Sequence, residues 1–322
     1  MFGNLPYKSK QFFIAIIKLS IIVGATYYIY NRIANNSEID FSEFKAILIK
    51  NEVFSAKNII FLLILTFFNW FFEIMKWKKL VSKVKKITFF EALEQSLGGL
   101  TASLITPNRI GDYGAKAVYF NKSHRKQIVF LNLIGNAYQM SVTTIIGLIG
   151  FTLFYFKYDL ELNFRKVSRF LIIIVVVTGF FAFGLKQSSF KIKGFSVERV
   201  INYVISLPKH THILTFFFSL IRYAIFSFQF YFLLTIFGVN IDYKSAMITI
   251  SSMYLISSIV PSLAVFDVLI KTSAAVYLFA FLGVDELTIV SISLLMWLLN
   301  FVIPSIFGSY FVLNFRLPKT SE

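Results

Sequence analysis

The sequence contains no cysteine, which excludes disulfides, thiolate metal sites and cysteine nucleophiles from the outset. Histidine is scarce as well, at three residues, two of which form the His210-x-His212 pair in a segment that reads as a loop. With neither a third nitrogen nor an acidic cluster to complete a coordination shell, no metal is expected. Charge is thin, 15% of residues, and only 16 are acidic. The chain has no G-x-S-x-G, no Walker lysine loop and no H-E-x-x-H. Neither an enzyme nor a cofactor is therefore expected, and an ATP-driven pump within this chain is excluded.

What fills the space is hydrocarbon. Hydrophobic residues make up 57% of the 322, with 40 Phe and 16 Tyr, and the mean hydropathy is +0.72. A soluble domain of this length needs more polar surface, so the bilayer is the expected solvent, with aromatic residues at its interfaces. The formal charge of +16 raises the question of nucleic acid. Helical membrane proteins, however, concentrate Lys and Arg in cytoplasmic loops, and no basic stretch here carries a recognition motif.

Six apolar runs are long enough to cross a hydrocarbon core: 12–30, 59–75, 128–156, 170–185, 213–237 and 287–313. The first is long for a signal peptide and meets Asn31-Arg32 with no convincing small-residue cleavage site, so it reads as a retained helix. Two further stretches, 91–120 and 245–282, are broken near their middles by Pro107 and Pro261. Such a break leaves backbone groups that must be satisfied inside protein or water. Each stretch therefore reads as a re-entrant pair or discontinuous helix, the alternative being two tilted full-length helices. With the N-terminus inside, the lysine-rich 76–86 segment, the Lys122 to Lys126 loop, the 186–209 stretch and the C-terminus all fall on the cytoplasmic side.

The two broken stretches resemble each other. Pro107, Asp112, Lys116 and Ala117-Val118-Tyr119 in one correspond to Pro261, Asp267, Lys271 and Ala275-Val276-Tyr277 in the other. Counting crossings, the two units point in opposite directions, which is the inverted-repeat layout of many secondary transporters.

The candidate site follows from charge at membrane depth. Asp112 and Lys116, like Asp267 and Lys271, are four apart and share a helix face. Beside a helix break they are expected to line a cavity and meet a charged ligand, with the lysines on phosphate and the carboxylates positioning them or responding to protons. Arg109 follows Pro107 by two residues, where free N–H groups and a planar guanidinium both favour an anion. Gly111 and Gly114 would admit a close approach. Arg222 stands alone in an apolar run, too deep for easy snorkelling. Ser219 and Gln229 share roughly its face, and Asn132, Asn136, Gln139 and Thr143 form a second polar stripe, for which interhelical hydrogen bonding is the simplest reading. Glu73, close to Lys76 and Trp77, reads as an interfacial anchor.

The segment Leu104-Ile105-Thr106-Pro107-Asn108-Arg109-Ile110-Gly111-Asp112 resembles a motif of the lysylphosphatidylglycerol synthase/flippase transmembrane-region family. There a Pro is followed by Gly/Asn-Arg-aliphatic-Gly and an acidic residue, often Glu, here Asp112. The family's second signature corresponds to Pro261 through Asp267, where Ser262-Leu263-Ala264-Val265-Phe266 replaces its glycines. In two-part members, the resemblance implies, this region moves an aminoacylated phospholipid between leaflets while a separate soluble domain makes the ester. This chain is expected to lack that domain, so aminoacyl transfer does not follow.

These features together describe an all-α polytopic membrane protein, with six long transmembrane helices and two broken re-entrant pairs in an inverted repeat. Residues 1–322 form a single membrane domain: a first helix and external loop (1–58), a first repeat unit (59–156), a connecting helix and basic loop (157–212) and a second unit (213–314). The expected function is a flippase-like translocase for an anionic-head-group phospholipid or polyprenyl lipid in the cell inner membrane, with both termini cytoplasmic. Alternatives are a transporter of a soluble anion, an accessory subunit of an envelope glycosyltransferase, or a lipid head-group enzyme. The partners implied are membrane lipids, with a second copy of the chain or an envelope-biosynthesis protein as further candidates and no nucleic acid.

Overall fold

A computed structural model describes residues 45–46, 49–50, 52–104, 106, 110–158, 197–259 and 267–315. The expected helices at 12–30 and 170–185 lie outside these residues, as do Pro107, Arg109 and Pro261. Among the described residues there is no strand.

Helix α1, Ala56–Val81, starts where the Ser55 side chain accepts from the Asn58 N–H. It runs from Lys57 to Glu73 without a charge, and its 26 residues reach about 39 Å at 1.5 Å per residue, enough to cross a bilayer core. Helix α2, Phe89–Ser103, opens on a reciprocal cap: Glu91 N–H donates to Thr88 Oγ1 (3.1 Å) and Thr88 N–H to Glu91 Oε2 (2.7 Å). Helix α3, Ile110–Val118, is nine residues long, and α4, Arg125–Tyr158, is 34. The short α5, Val197–Ser206, leads through Pro208 into α6, Lys209–Ile236. Then come α7, Tyr243–Ile259, and α8, Asp267–Ala280. The final long helix is α9, Glu286–Trp297, a π-helical turn over Leu298–Val302, and α10, Ile303–Asn314. Helices α6 and α8 stop the same way, at Gly238 (φ 76°) and Gly283 (φ 69°), whose left-handed backbone lets the last carbonyls be capped.

Four helices among the described residues are long and apolar enough to cross a membrane: α1, α4, α6 and the continuous Glu286–Asn314. They match four of the six expected runs. In each broken stretch two shorter helices stand in place of one, α2 with α3 and α7 with α8, and in each case the two pack on one another. At 15 and 9 residues, α2 and α3 reach only about 22 and 14 Å, short of a full crossing.

Where these pairs begin and end is informative. Phe90 at the start of α2 meets Phe311 (5.8 Å), and Tyr119 just past α3 meets Phe315 (4.6 Å), so both ends of the first pair lie at the end of α10. Lys157 Nζ donates to Ser245 Oγ at the start of α7, and Tyr158 meets Phe281 just past α8 (6.4 Å). Both ends of the second pair therefore lie at the end of α4.

The long helices pack in a matching pattern: α1 on α6, α4 on α7, and α10 on α2. Small residues set the last two crossings. A Cβ on Gly147 would come within 2.6 Å of Leu255 Cβ, and one on Gly308 would overlap Leu97 O and Thr101 Oγ1. Thr101 Oγ1 also donates to Ser305 O across that second seam (3.0 Å). The segments around Ile87, Phe120 and Leu207 meet in one apolar cluster, which gathers Lys83, Lys85, Lys86, Lys122, Arg125 and Lys209 near one end of the bundle. The outward faces carry exposed Ile60, Phe67, Ile149, Phe217, Ile306 and Phe307, a surface suited to acyl chains rather than to water.

Candidate functional site: a charged cavity between the two halves

Helix α1 is apolar outward, but Thr66, Asn69, Glu73 and Lys76 recur at offsets of three and four, so they fall on one face turned into the bundle. Arg222, midway along α6, meets that face. Its Nε donates to Asn69 O and Oδ1 (both 3.1 Å), and its Nη1 to Gln139 Oε1 of α4 (3.2 Å) and to Glu73 Oε2, the partner in a salt bridge. Lys76 Nζ lies 2.7 Å from the same Glu73 oxygen and is almost fully buried. One carboxylate thus compensates two cations. Glu73, expected as an interfacial anchor, turns inward to become the counterion of Arg222.

Amides continue this line. Asn69 Nδ2 donates to Asn300 Oδ1 (2.7 Å), Asn300 Nδ2 to Gln229 Oε1 (2.8 Å), and Gln229 Nε2 to Thr66 Oγ1 (3.0 Å). Asn300 sits in the π turn, where its backbone carbonyl accepts from the Trp70 indole (3.2 Å). In hydrocarbon such groups must satisfy one another.

A second ionic cluster lies in the first half. Lys116 Nζ is 3.1 Å from Asp112 Oδ1, donates to Asp112 Oδ2 (3.2 Å) and Asn132 Oδ1 (2.9 Å), and stands 4.7 Å above the Trp77 ring. Asn132 Nδ2 in turn donates to Asp112 Oδ2 (2.7 Å). The i,i+4 spacing of Asp112 and Lys116 is used as expected, with side-chain exposures of 15% and 3%. Gly111 and Gly99 make this possible: a Cβ on Gly111 would overlap the Ala102 carbonyl and one on Gly99 would overlap Asp112. Gly114, expected to admit a close approach, has nothing within 4 Å of its Cβ position.

Both clusters border one cavity of about 660 Å³. Glu73, Asp112, Lys116 and Arg222 line it from the first half and α6, with Asn136, Gln139 and Thr143 of α4. Lys271 of α8 lines it from the second half, its Nζ 5.8 Å from the Phe301 ring centre. The cavity therefore unites Asp112, Lys116, Arg222, Lys271, Asn136 and Gln139. Gln229 lies behind its wall, fully buried in the amide chain. Arg109 and the Asp267 side chain lie outside the described residues. Of the charged side chains lining the cavity among the described residues, three are cations and two are carboxylates. Trp70, Phe226, Tyr254 and Trp297 add an aromatic portion.

His210 and His212, read as a loop pair, lie in the first turn of α6, where His212 Nδ1 is 2.6 Å from Tyr138 Oη. Among the described residues no three His, Cys, Asp or Glu side chains gather to hold a metal. Sequence reasoning missed Glu73 and Asn300 as parts of this site. The signal for Glu73 was the polar stripe Thr66, Asn69, Glu73, Lys76; Asn300, a lone amide in a long apolar run, had none.

In comparisons with known proteins, a family model described as the lysylphosphatidylglycerol synthase TM region matches residues 15–308. No curated protein and no solved structure matches the chain.

Proposed function

Since the chain belongs to the lysylphosphatidylglycerol synthase TM-region family, we propose that it carries a lipid with an anionic head group between membrane leaflets, with no bond made or broken. One observation carries this reading: a cavity of about 660 Å³ whose charged lining residues are mostly cationic, set inside a bundle whose outer faces are apolar. That volume is in the range of small-molecule sites, and a phosphate would be drawn to it by charge while acyl chains stay outside in lipid. Lys116, Arg222 and Lys271 supply the positive field, Glu73 and Asp112 hold two of them in place, and Arg109 would add a guanidinium at the entrance to α3. The cargo is a phospholipid or polyprenyl lipid of the cell inner membrane.

The proposed architecture is six spans with two re-entrant pairs related by an inverted repeat. Reciprocal packing supports it: each broken pair begins and ends beside the last helix of the other unit. The basic end of the bundle would face the cytoplasm, as would both termini.

Proteoliposomes carrying a trace of fluorophore-labelled phosphatidylglycerol test the function. With the protein present, an impermeant reductant is expected to quench label beyond the outer-leaflet fraction, and Arg222→Ala should abolish the excess. Quenching confined to the outer leaflet with the wild-type protein would overturn the proposal.

A further inference from the structure

Resting on the translocator reading, we infer that the acyl chains of the cargo pass through a gap beside Met140, midway along α4, while the head group occupies the cavity behind it. The route does not depend on which head group is carried.

Six residues of α4, Asn132, Asn136, Met140, Thr143, Gly147 and Gly150, recur at offsets of three and four and so form one stripe. The first broken pair grips its beginning: Asn132 Nδ2 donates to Asp112 Oδ2 (2.7 Å), and Asn136 Nδ2 to Tyr113 Oη (2.9 Å). The second pair grips its end, where a Cβ on Gly147 would overlap Leu255 of α7 and one on Gly150 would overlap Ser251. Met140 and Thr143 lie between the two grips, and both line the cavity. The stretch of α4 from Asn136 to Gly147 is about 16 Å long.

Met140 is where the cavity meets the outside. Of the lining side chains among the described residues it is the most exposed, at 56%, whereas Ser103, Phe230 and Met253 of the same lining are buried. Leu133 and Leu148 of α4 are exposed as well, so the surface beside the gap is apolar. Asn136 and Thr143, within the stripe, are polar and half-buried. An apolar rim before a polar interior suits a lipid bound by its head and trailing its chains, and a soluble anion has no use for it. Depth agrees. Met140 is about 22 Å along the roughly 51 Å of α4, so the gap lies near mid-membrane, where a head group in transit must leave its chains in hydrocarbon.

The test uses proteoliposomes holding the full chain and one of two labelled lipids, phosphatidylglycerol or its single-chain lyso form. Met140→Trp should slow the two-chain lipid about tenfold or more, because bulk is forced into the gap the chains need, and slow the one-chain lipid much less. Thr143→Phe, the other change within the gap, should act alike, so the outcome does not hang on one variant folding. Ile149→Trp, half a turn from Met140 around α4 and 58% exposed, should leave both rates at the wild-type value. Equal slowing of the one-chain and two-chain lipids by Met140→Trp would show that bulk there obstructs the cavity and not a passage for chains, which would overturn the inference. So would wild-type rates in both folded gap variants, or a slowing by Ile149→Trp equal to that by Met140→Trp. Each of these outcomes spares the translocator reading. Transport of neither lipid by the wild-type protein would overturn that reading and the inference with it.

Discussion

Glu73→Gln is the most revealing single change, because it strands two cations at once. The carboxylate carries the salt bridge to Arg222 and lies 2.7 Å from Lys76, and these side chains are 2–15% exposed. Removing one partner of a buried pair costs about 3–5 kcal/mol, and here both cations lose their counterion, so the upper part of that range is expected. Arg222→Met is the unequal counterpart. It leaves Glu73 still paired with Lys76 and mainly costs the amides their donors at Asn69 and Gln139, about 1–3 kcal/mol. The double variant should then be more stable than Glu73→Gln alone, by about 1–2 kcal/mol, because one stranded cation has been removed. Equilibrium unfolding in mixed micelles with increasing dodecyl sulfate, followed by tryptophan fluorescence, measures all three. A double variant less stable than Glu73→Gln, or single variants of equal cost, would refute the shared-counterion geometry.

Other outcomes follow from the packing. Gly308→Val should destabilise by about 1–3 kcal/mol through its clash with Leu97 O and Thr101. Gly114→Ala should instead stabilise α3 by up to about 1 kcal/mol, because its Cβ meets nothing within 4 Å. The same unfolding assay separates the two. Asn300→Leu should cost about 1–3 kcal/mol by leaving Asn69 and Gln229 without their shared partner, and Gln229→Leu in the same chain should recover part of it. Hydrogen bonds from the Ser245 hydroxyl and N–H hold the Asp242 carboxyl below its usual pKa. Its capping of α7 is therefore fully present above the ordinary carboxylate range and lost as pH falls through the lowered value. Amide exchange in the first turn of α7 should accelerate in acid in the wild type, and Asp242→Asn should flatten that dependence.

Hydropathy alone located the four long helices, because a run of uncharged residues from 59 to 72 has only one use. The Asp112–Lys116 pair and the Asn132–Asn136–Gln139–Thr143 stripe were legible for a similar reason: helical periodicity decides which side chains share a face. Glu73 was misjudged because its neighbours in sequence, Lys76 and Trp77, look interfacial. Its role depends on Arg222, 149 residues away, and no local pattern carries that distance. Gly308 was illegible for the same cause, since what makes it necessary is a carbonyl on α2.

The π turn at Leu298–Val302 gives the last helix two addresses. Before it, α9 lies against α8 and α6; after it, α10 lies against α2. One residue of helix is worth about 100° of rotation. A single-residue deletion in that turn would restore a regular helix and swing Gly308 and Ser305 off α2, while Ser293 and Trp297 stayed in place. The wide turn thus works as a phase shifter, letting one continuous rod obey two seams whose registers disagree.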